Sequence, residues 1–216
     1  MNAPLPLHTA PCAASGSAPL SLLDIFEPEI QLAQWTRPEQ AAITRWLDQH
    51  AHRLGAGFRQ LIRCGDMPDL SGLPAGAGRD ALGEDIQHLT ELLCDLVDAP
   101  MAGVRLEILN SAMCPRLHVD RVGIRLLCTY RGRGTEWVAQ SAVDKRYLGA
   151  GAGGLPDETS GLLRPGCRIE SVPAFAVALL KGSLWQGNHG RGVIHRSPAV
   201  DQGPRVVVAL DPGWSH

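Results

Sequence analysis

The chain has 216 residues, 44% of them hydrophobic, with 20 basic and 22 acidic side chains and a net charge of −2. That balance excludes the basic surface of a nonspecific nucleic-acid binder, so we expect no nucleic-acid partner. No apolar run approaches the roughly 18 residues of a membrane-spanning helix, and residues 1–20 lack the basic start of a secretory signal. We therefore expect a cytoplasmic protein that does not enter a membrane, with residues 1–20 as a mobile tail.

Two helices are predicted in the first half of the chain. Residues 36–54 place Ile43 and Leu47 on one stripe, and residues 79–97 repeat leucines at helical spacing. An apolar stripe of this kind packs against a sheet or another helix. We therefore expect residues 21–100 to form a helical N-terminal extension that acts as a buttress.

After residue 100 the sequence period changes to two, which predicts strands. Residues 135–139 follow a Gly-rich turn and are predicted to pair with residues 123–130 as a hairpin. The Gly-rich residues 144–166 form a long insertion and are a candidate lid. Short strands behind two helices predict an α+β, mainly β fold: a double-stranded β-helix, which is a jelly-roll or cupin-like barrel, over residues 101–216. The predicted strands are residues 104–108, 117–120, 123–130, 135–139, 168–172, 175–180, 192–195 and 205–211.

The most informative motif is His118-Val119-Asp120. On an extended strand, alternate side chains share a face, so His118 and Asp120 can point into one cavity. A third ligand, His195 from a distant strand, would complete a two-histidine, one-carboxylate facial triad, which suits non-haem Fe(II). The tripeptide alone is also explained by a hydrogen-bonded pair at a barrel rim. The presence of His195, and of Arg205 at the start of the last strand, favours the metal site.

With these residues in place, residues 100–211 resemble the Fe(II)/2-oxoglutarate-dependent dioxygenases. The similarity is to the prolyl-hydroxylase branch, in which His-x-Asp precedes an apolar strand that ends in tyrosine, here Ile124 to Tyr130. Residues 179–198 also resemble an uncharacterised bacterial family of unknown function.

The dioxygenase resemblance implies a role for each motif residue. His118, Asp120 and His195 would bind Fe(II), and Arg205 would pair bidentately with the distal carboxylate of 2-oxoglutarate. Tyr130 would donate a hydrogen bond to the same carboxylate. The implied activity is hydroxylation of a small-molecule or protein substrate that the sequence does not identify. One departure concerns the co-substrate, because Val207 stands where many relatives place serine or threonine.

Two other classes remain open at the level of sequence. A zinc-binding metal-homeostasis protein without turnover would use Cys114, His118, Asp120, His195 and His189, whose sulfur, nitrogen and oxygen donors suit zinc. A cupin-like isomerase or small-molecule binder would keep the barrel and the metal without oxygen chemistry. Arg205 separates the first of these from an oxygenase, since only the oxygenase needs an anchor for an oxo acid.

Overall fold

The computed structural model of the chain describes residues 12–189 and 191–214, which form ten strands and two α-helices. The helices are α1 (Ala41–His50) and α2 (Ala77–Val97). None of the described helices is long and apolar enough to cross a membrane. The strands are β1 (Ala13–Gly16), β2 (Leu32–Trp35), β3 (Gly57–Arg63), β4 (Met101–Leu109), β5 (Ile124–Arg131), β6 (Glu136–Val138), β7 (Glu170–Ser171), β8 (Val177–Lys181), β9 (Ile194–Arg196) and β10 (Arg205–Gly213).

The strands form two sheets, so the architecture is a sheet-rich α+β fold. The main sheet has seven strands in the order β1-β2-β8-β5-β10-β4-β3, and the minor sheet has three in the order β7-β6-β9. Strand β10 is central: it pairs antiparallel with β4 along its whole length and with β5 on its other side. One face of these long central strands lines the cavity that holds the candidate functional residues.

The main sheet buries one face against the helices. On β4, Val104 and Leu106 belong to the largest hydrophobic cluster, whereas Arg105 and Glu107 point to the opposite face. Strands β5 and β10 divide their side chains between the same two faces, although their apolar runs are nearly continuous in the sequence. The sheet therefore has an apolar face under the helices and a second face that is free to line a cavity.

The helices pack as the apolar stripes predicted. Leu82, Ile86 and Leu89 of α2 are fully buried in the same cluster as Leu47 of α1. Helix α2 matches its predicted range closely. Helix α1 begins at Ala41 rather than at residue 36. The residues before it are extended, and their side chains contact other parts of the chain.

The N-terminal third is less helical than predicted. Residues 1–11 of the expected tail lie outside the described residues, but Ala13–Gly16 form β1, so the tail prediction is wrong for that part. Strands β1, β2 and β3 all join the main sheet, so residues 21–100 are more than a helical extension. The reason is that β1 and β2 are short and pair through their backbones in parallel, without an alternating side-chain pattern to reveal them.

The predicted hairpin is also wrong. Strand β6 pairs with β7 and β9 of the minor sheet and not with β5. The turn at Gly132 and Gly134, where Gly132 has φ +84°, carries the chain out of the main sheet instead of folding it back. This crossing creates the second wall of the cavity.

Candidate functional site

A cavity of about 270 Å³ lies between the two sheets. Its floor is the helix-distant face of β4, β5 and β10, and its other wall comes from β9 and the segment around residues 113–120. The floor residues are Arg105, Glu107 and Leu109 of β4, Arg125 and Leu127 of β5, and Arg205, Val207 and Ala209 of β10.

Three of the predicted ligands meet in this cavity. Donor atoms of His118, Asp120 and His195 all lie within 4.8 Å of one another. His118 Nε2 is 3.4 Å from Asp120 Oδ1, and His195 Nε2 is 3.4 Å from Asp120 Oδ2. Two ligands at about 2.1 Å from one ion in octahedral positions are separated by about 3.0 Å, so the types and the grouping of these donors suit a divalent cation.

Backbone pairing explains the convergence of the two histidines. His118 and His195 form an isolated antiparallel bridge, in which each backbone N–H donates to the carbonyl of the other at 3.0 and 2.9 Å. Directly opposed residues project to the same face, and the two rings have centroids 4.6 Å apart. Because Asp120 follows His118 by two residues, the three side chains share one side.

The tautomer of each histidine is set by a backbone carbonyl two residues earlier. His118 Nδ1 lies 2.8 Å from the carbonyl oxygen of Arg116, and His195 Nδ1 lies 3.1 Å from that of Val193. A carbonyl can only accept, so each Nδ1 carries a proton that it donates. In the neutral rings, Nε2 is then the free electron-pair donor and faces Asp120, which is the arrangement of a metal-binding histidine.

Asp120 is held as a carboxylate. Burial raises its pKa, but the neighbouring rings of His118 and His195 together with the charge of Arg125 hold the pKa well below its usual range. The hydrogen bond to Asp120 in turn raises the pKa of His118. A proton on Nε2 of that ring occupies the place that a divalent cation would take, and the donor set of two imidazoles and one carboxylate suits Fe(II).

Arg125 lies outside the His-x-Asp motif but contacts its carboxylate. It donates to Asp120 Oδ2 and also holds Asp211 with two hydrogen bonds, at 2.7 Å from Nε and 2.8 Å from Nη2. Asp211 is at the same time paired with Arg105 at 2.9 Å. The available signal was the alternation of Arg125 with apolar neighbours on β5, which places it on the cavity face.

Arg205 is buried without an acidic partner among the described residues. It is only 3% exposed, and it lines the same cavity as the triad. Nε donates to the carbonyl of Arg133 at 2.8 Å, and Nη2 donates to the hydroxyls of Thr129 and Thr135, both at 3.1 Å. These neutral acceptors leave the two N–H groups of Nη1 for another partner.

The charge of Arg205 makes this corner of the cavity positive. Burial lowers the pKa of Arg205 to about 10, so the guanidinium is still charged at neutral pH. A buried cation that is paired only with neutral groups is costly, and a bound carboxylate would offset that cost. Thr129 and Thr135, which the sequence analysis did not single out, hold the guanidinium in place.

The expected role of Tyr130 is wrong. Its hydroxyl donates to Asp85 Oδ2 of helix α2 at 2.6 Å, on the helix-facing side of the main sheet. The physical reason is that successive side chains of a strand point to opposite faces of the sheet. Tyr130 shares the helix-facing side with Cys128, whereas Thr129 is on the cavity side and accepts from Arg205. Val207 is on the cavity face, where the resemblance placed a serine or threonine.

Two other expectations concern residues near the cavity. Cys114 lines it, but neither Cys114 nor His189 belongs to the group of converging donors found among the described residues. The insertion of residues 144–166, all of which are described, contributes no residue to the cavity lining. It packs beside the minor sheet instead, with Leu162 fully buried, so the lid interpretation is wrong.

Comparison with solved structures finds the same fold in a rice dioxygenase. The rice dioxygenase for auxin oxidation (DAO) has a TM-score of 0.54 and 14% identity over 93% of this chain and 82% of that chain. A Pseudomonas putida prolyl-4-hydroxylase has a TM-score of 0.49 and 10% identity over 92% and 99% of the two chains. A full-length Neurospora crassa protein, solved in complex with alpha-KG, has a TM-score of 0.49 and 14% identity over 92% and 78%. At 14% identity, the similarity to the rice enzyme shows that the two chains share a fold and does not assign an activity.

At the level of sequence, one family model matches residues 16–211. Its description is "Protein of unknown function (DUF1826)". No curated protein matches the chain.

Proposed function

We propose that this chain, which belongs to the DUF1826 family and has the fold of the Fe(II)/2-oxoglutarate oxygenases, is an Fe(II)- and 2-oxoglutarate-dependent oxygenase that hydroxylates a substrate at the cavity between its sheets. One observation carries the proposal: a facial triad and a buried arginine without a counterion line the same cavity. A metal-storage site needs the first feature but not the second. In this proposal the two sheets are the halves of a double-stranded β-helix.

His118, Asp120 and His195 would hold the Fe(II) ion. Bound Fe(II) would supply dioxygen activation coupled to the oxidative decarboxylation of 2-oxoglutarate to succinate and carbon dioxide. The two imidazoles are held in the correct tautomer by backbone carbonyls, and Asp120 is the one anionic ligand of the set. Arg125 fixes the plane of that carboxylate through Oδ2.

Arg205 would bind the distal carboxylate of 2-oxoglutarate. The N–H groups of Nη1, which Arg133, Thr129 and Thr135 leave free, would donate to that carboxylate, and the guanidinium would supply the opposite charge. Thr129 and Thr135 hold one side of the guanidinium, and the apolar side chains of Leu127 and Val207 line the cavity floor. An apolar wall beside a charged end suits a short diacid and excludes water from the reaction.

Binding of 2-oxoglutarate to the Fe(II)-loaded protein without oxygen tests the proposal. We expect the wild type to develop the visible metal-to-ligand charge-transfer absorption of a chelated 2-oxo acid and, once oxygen is admitted, to release succinate. Arg205→Ala should keep Fe(II) but lose at least about tenfold in 2-oxoglutarate affinity, because it removes the charge-assisted anchor. Arg146→Ala, whose side chain is 81% exposed and lies outside the cavity lining, removes the same charge elsewhere and should bind as the wild type does.

Two outcomes would overturn the assignment. Undiminished 2-oxoglutarate affinity in Arg205→Ala would remove the co-substrate site. A wild type that binds zinc tightly, gives no absorption with 2-oxoglutarate and releases no succinate would instead support the metal-homeostasis alternative.

A further inference from the structure

Asp157 is a buried carboxylate outside the cavity that contacts both histidine-bearing segments. It lies in the insertion of residues 144–166, and only 2% of its surface is exposed. Its carboxylate is enclosed by groups next to His118 on one side and next to His195 on the other. A buried charge with this many partners is costly to assemble, so its position calls for an explanation.

The first contact controls the orientation of His118. Asp157 Oδ2 accepts from the backbone N–H of Leu117 at 2.7 Å, and Oδ1 accepts from Arg116 Nε at 2.8 Å. The N–H of Leu117 and the carbonyl of Arg116 belong to one peptide unit. That carbonyl accepts from His118 Nδ1 at 2.8 Å. Because a peptide unit is planar, fixing its N–H also fixes the direction of its carbonyl, and the carbonyl sets the tautomer and the ring orientation of His118.

The second contact reaches the other histidine. Arg196, which directly follows His195, donates from Nη1 to Asp157 Oδ2 at 3.3 Å. Arg196 also donates to Glu136 at 2.8 Å and to Glu158 at 2.7 Å. Asp157 therefore links two segments that already meet in the backbone bridge between His118 and His195.

The insertion that carries Asp157 is a packed platform. Val143 and Leu163 form an antiparallel bridge at its base. Leu162 is buried in a cluster with Leu117 and Ile194, the neighbours of the two histidines. The carbonyl of Asp157 itself accepts from Ser160 Oγ at 3.2 Å. The carboxylate is thus presented from a fixed backbone.

We propose that Asp157 is a positioning residue of the metal site: it holds the Arg116–Leu117 peptide that orients His118 and ties it to the segment of His195. This inference rests on the proposed function, since it assigns Asp157 to a site that binds metal. It gives the insertion a role, which is to support the two histidines from behind.

Co(II) titration followed by visible absorption tests the proposal, together with amide hydrogen exchange at Leu117 in the metal-free protein. Asp157→Asn keeps the size of the side chain and one accepting oxygen, but its amide N–H₂ cannot accept, so Arg116 Nε and the Leu117 N–H can no longer both donate to this side chain. Asp157→Ala removes both oxygens. We expect each to weaken Co(II) binding about tenfold or more, the range for groups that orient ligands, and to speed exchange at Leu117.

Glu158→Gln is the matched control, because the neighbouring Glu158 binds Arg196 but not the Arg116–Leu117 peptide. It should bind Co(II) within about twofold of the wild type. Circular dichroism checks that each variant is folded, and the isosteric Asn variant keeps the test valid where Ala unfolds.

The outcomes separate this inference from the proposed function. Fast exchange at Leu117 with Co(II) affinity equal to that of the wild type would overturn the role of Asp157 and leave the oxygenase proposal intact. A wild type that binds neither Co(II) nor Fe(II) would overturn both. An equal loss of affinity in Glu158→Gln would assign the effect to Arg196 and not to the peptide.

Discussion

The buried arginines on the two faces of the main sheet differ in their hydrogen-bond partners. On the helix-facing side, Asp85 of α2 accepts from both Nη1 and Nη2 of Arg37 at 2.6 Å, from Gln40 at 2.8 Å and from the hydroxyl of Tyr130 at 2.6 Å. The pair is nearly sealed, with side-chain exposures of 8% for Arg37 and 4% for Asp85. Although burial lowers the pKa of Arg37, Asp85 raises it above the ordinary value. This network is complete within the chain.

The cavity face holds a network that is incomplete. Arg205 is buried, with 3% of its surface exposed, yet it contacts a carbonyl and two hydroxyls and no carboxylate of the described residues. Burial therefore lowers its pKa, with no acid to compensate. Burial alone does not distinguish a structural charge from a functional one. The distinguishing feature is whether the chain supplies the counterion.

Replacing Arg37 should have the largest effect on stability. Arg37→Met leaves Asp85 buried without its counterion, and removing one partner of a buried ion pair costs about 3–5 kcal/mol. Urea unfolding measures the loss. Arg59→Met, which breaks an exposed pair with Glu107, should cost less than about 1 kcal/mol. Equal losses in the two variants would show that the helix-facing network is not a closed structural unit.

Replacing Tyr130 should have an intermediate effect, and it distinguishes the two faces directly. Tyr130→Phe removes a hydrogen bond to a charged acceptor and should cost about 1.5–3 kcal/mol of unfolding free energy. Affinity for 2-oxoglutarate should stay within about twofold, since the hydroxyl binds Asp85 and lies outside the cavity lining. A large loss of 2-oxoglutarate affinity at unchanged stability would restore the role that the family resemblance assigned to Tyr130.

Replacing Arg205 should have the smallest effect on the stability of the ligand-free protein. Arg205→Met exchanges a desolvated charge for an apolar chain of similar length, so the lost hydrogen bonds and the relieved burial nearly cancel, to within about 1 kcal/mol. Urea unfolding without and with 2-oxoglutarate is the measurement. The ligand should stabilise the metal-loaded wild type but not the variant. A loss above about 3 kcal/mol in the ligand-free variant would make Arg205 a structural charge like Arg37.

Side-chain patterns along single segments of the sequence predicted the helices and strands that those segments form. The alternation on β4, the apolar runs of β5 and β10 and the leucine spacing of α2 each predicted an element that the structure contains. Family resemblance, rather than periodicity, supplied the role of Arg205. The backbone bridge that unites His195 with His118 joins residues far apart in sequence and left no local trace.

The sequence by itself determined the periodicities, and with them the helices, the central strands and the shared face of His118 and Asp120, because these depend on side-chain spacing along one segment. Only the tertiary structure decided which segments meet. Strand pairing placed β6 in the minor sheet, parity within β5 sent Tyr130 to Asp85 and Thr129 to Arg205, and packing of the insertion brought Asp157 behind His118. Every residue type except proline offers the same backbone hydrogen-bonding groups to a neighbouring strand. The amino-acid composition of a strand therefore does not show which strand it pairs with. The contacts that depend on strand pairing can be found only in the three-dimensional structure.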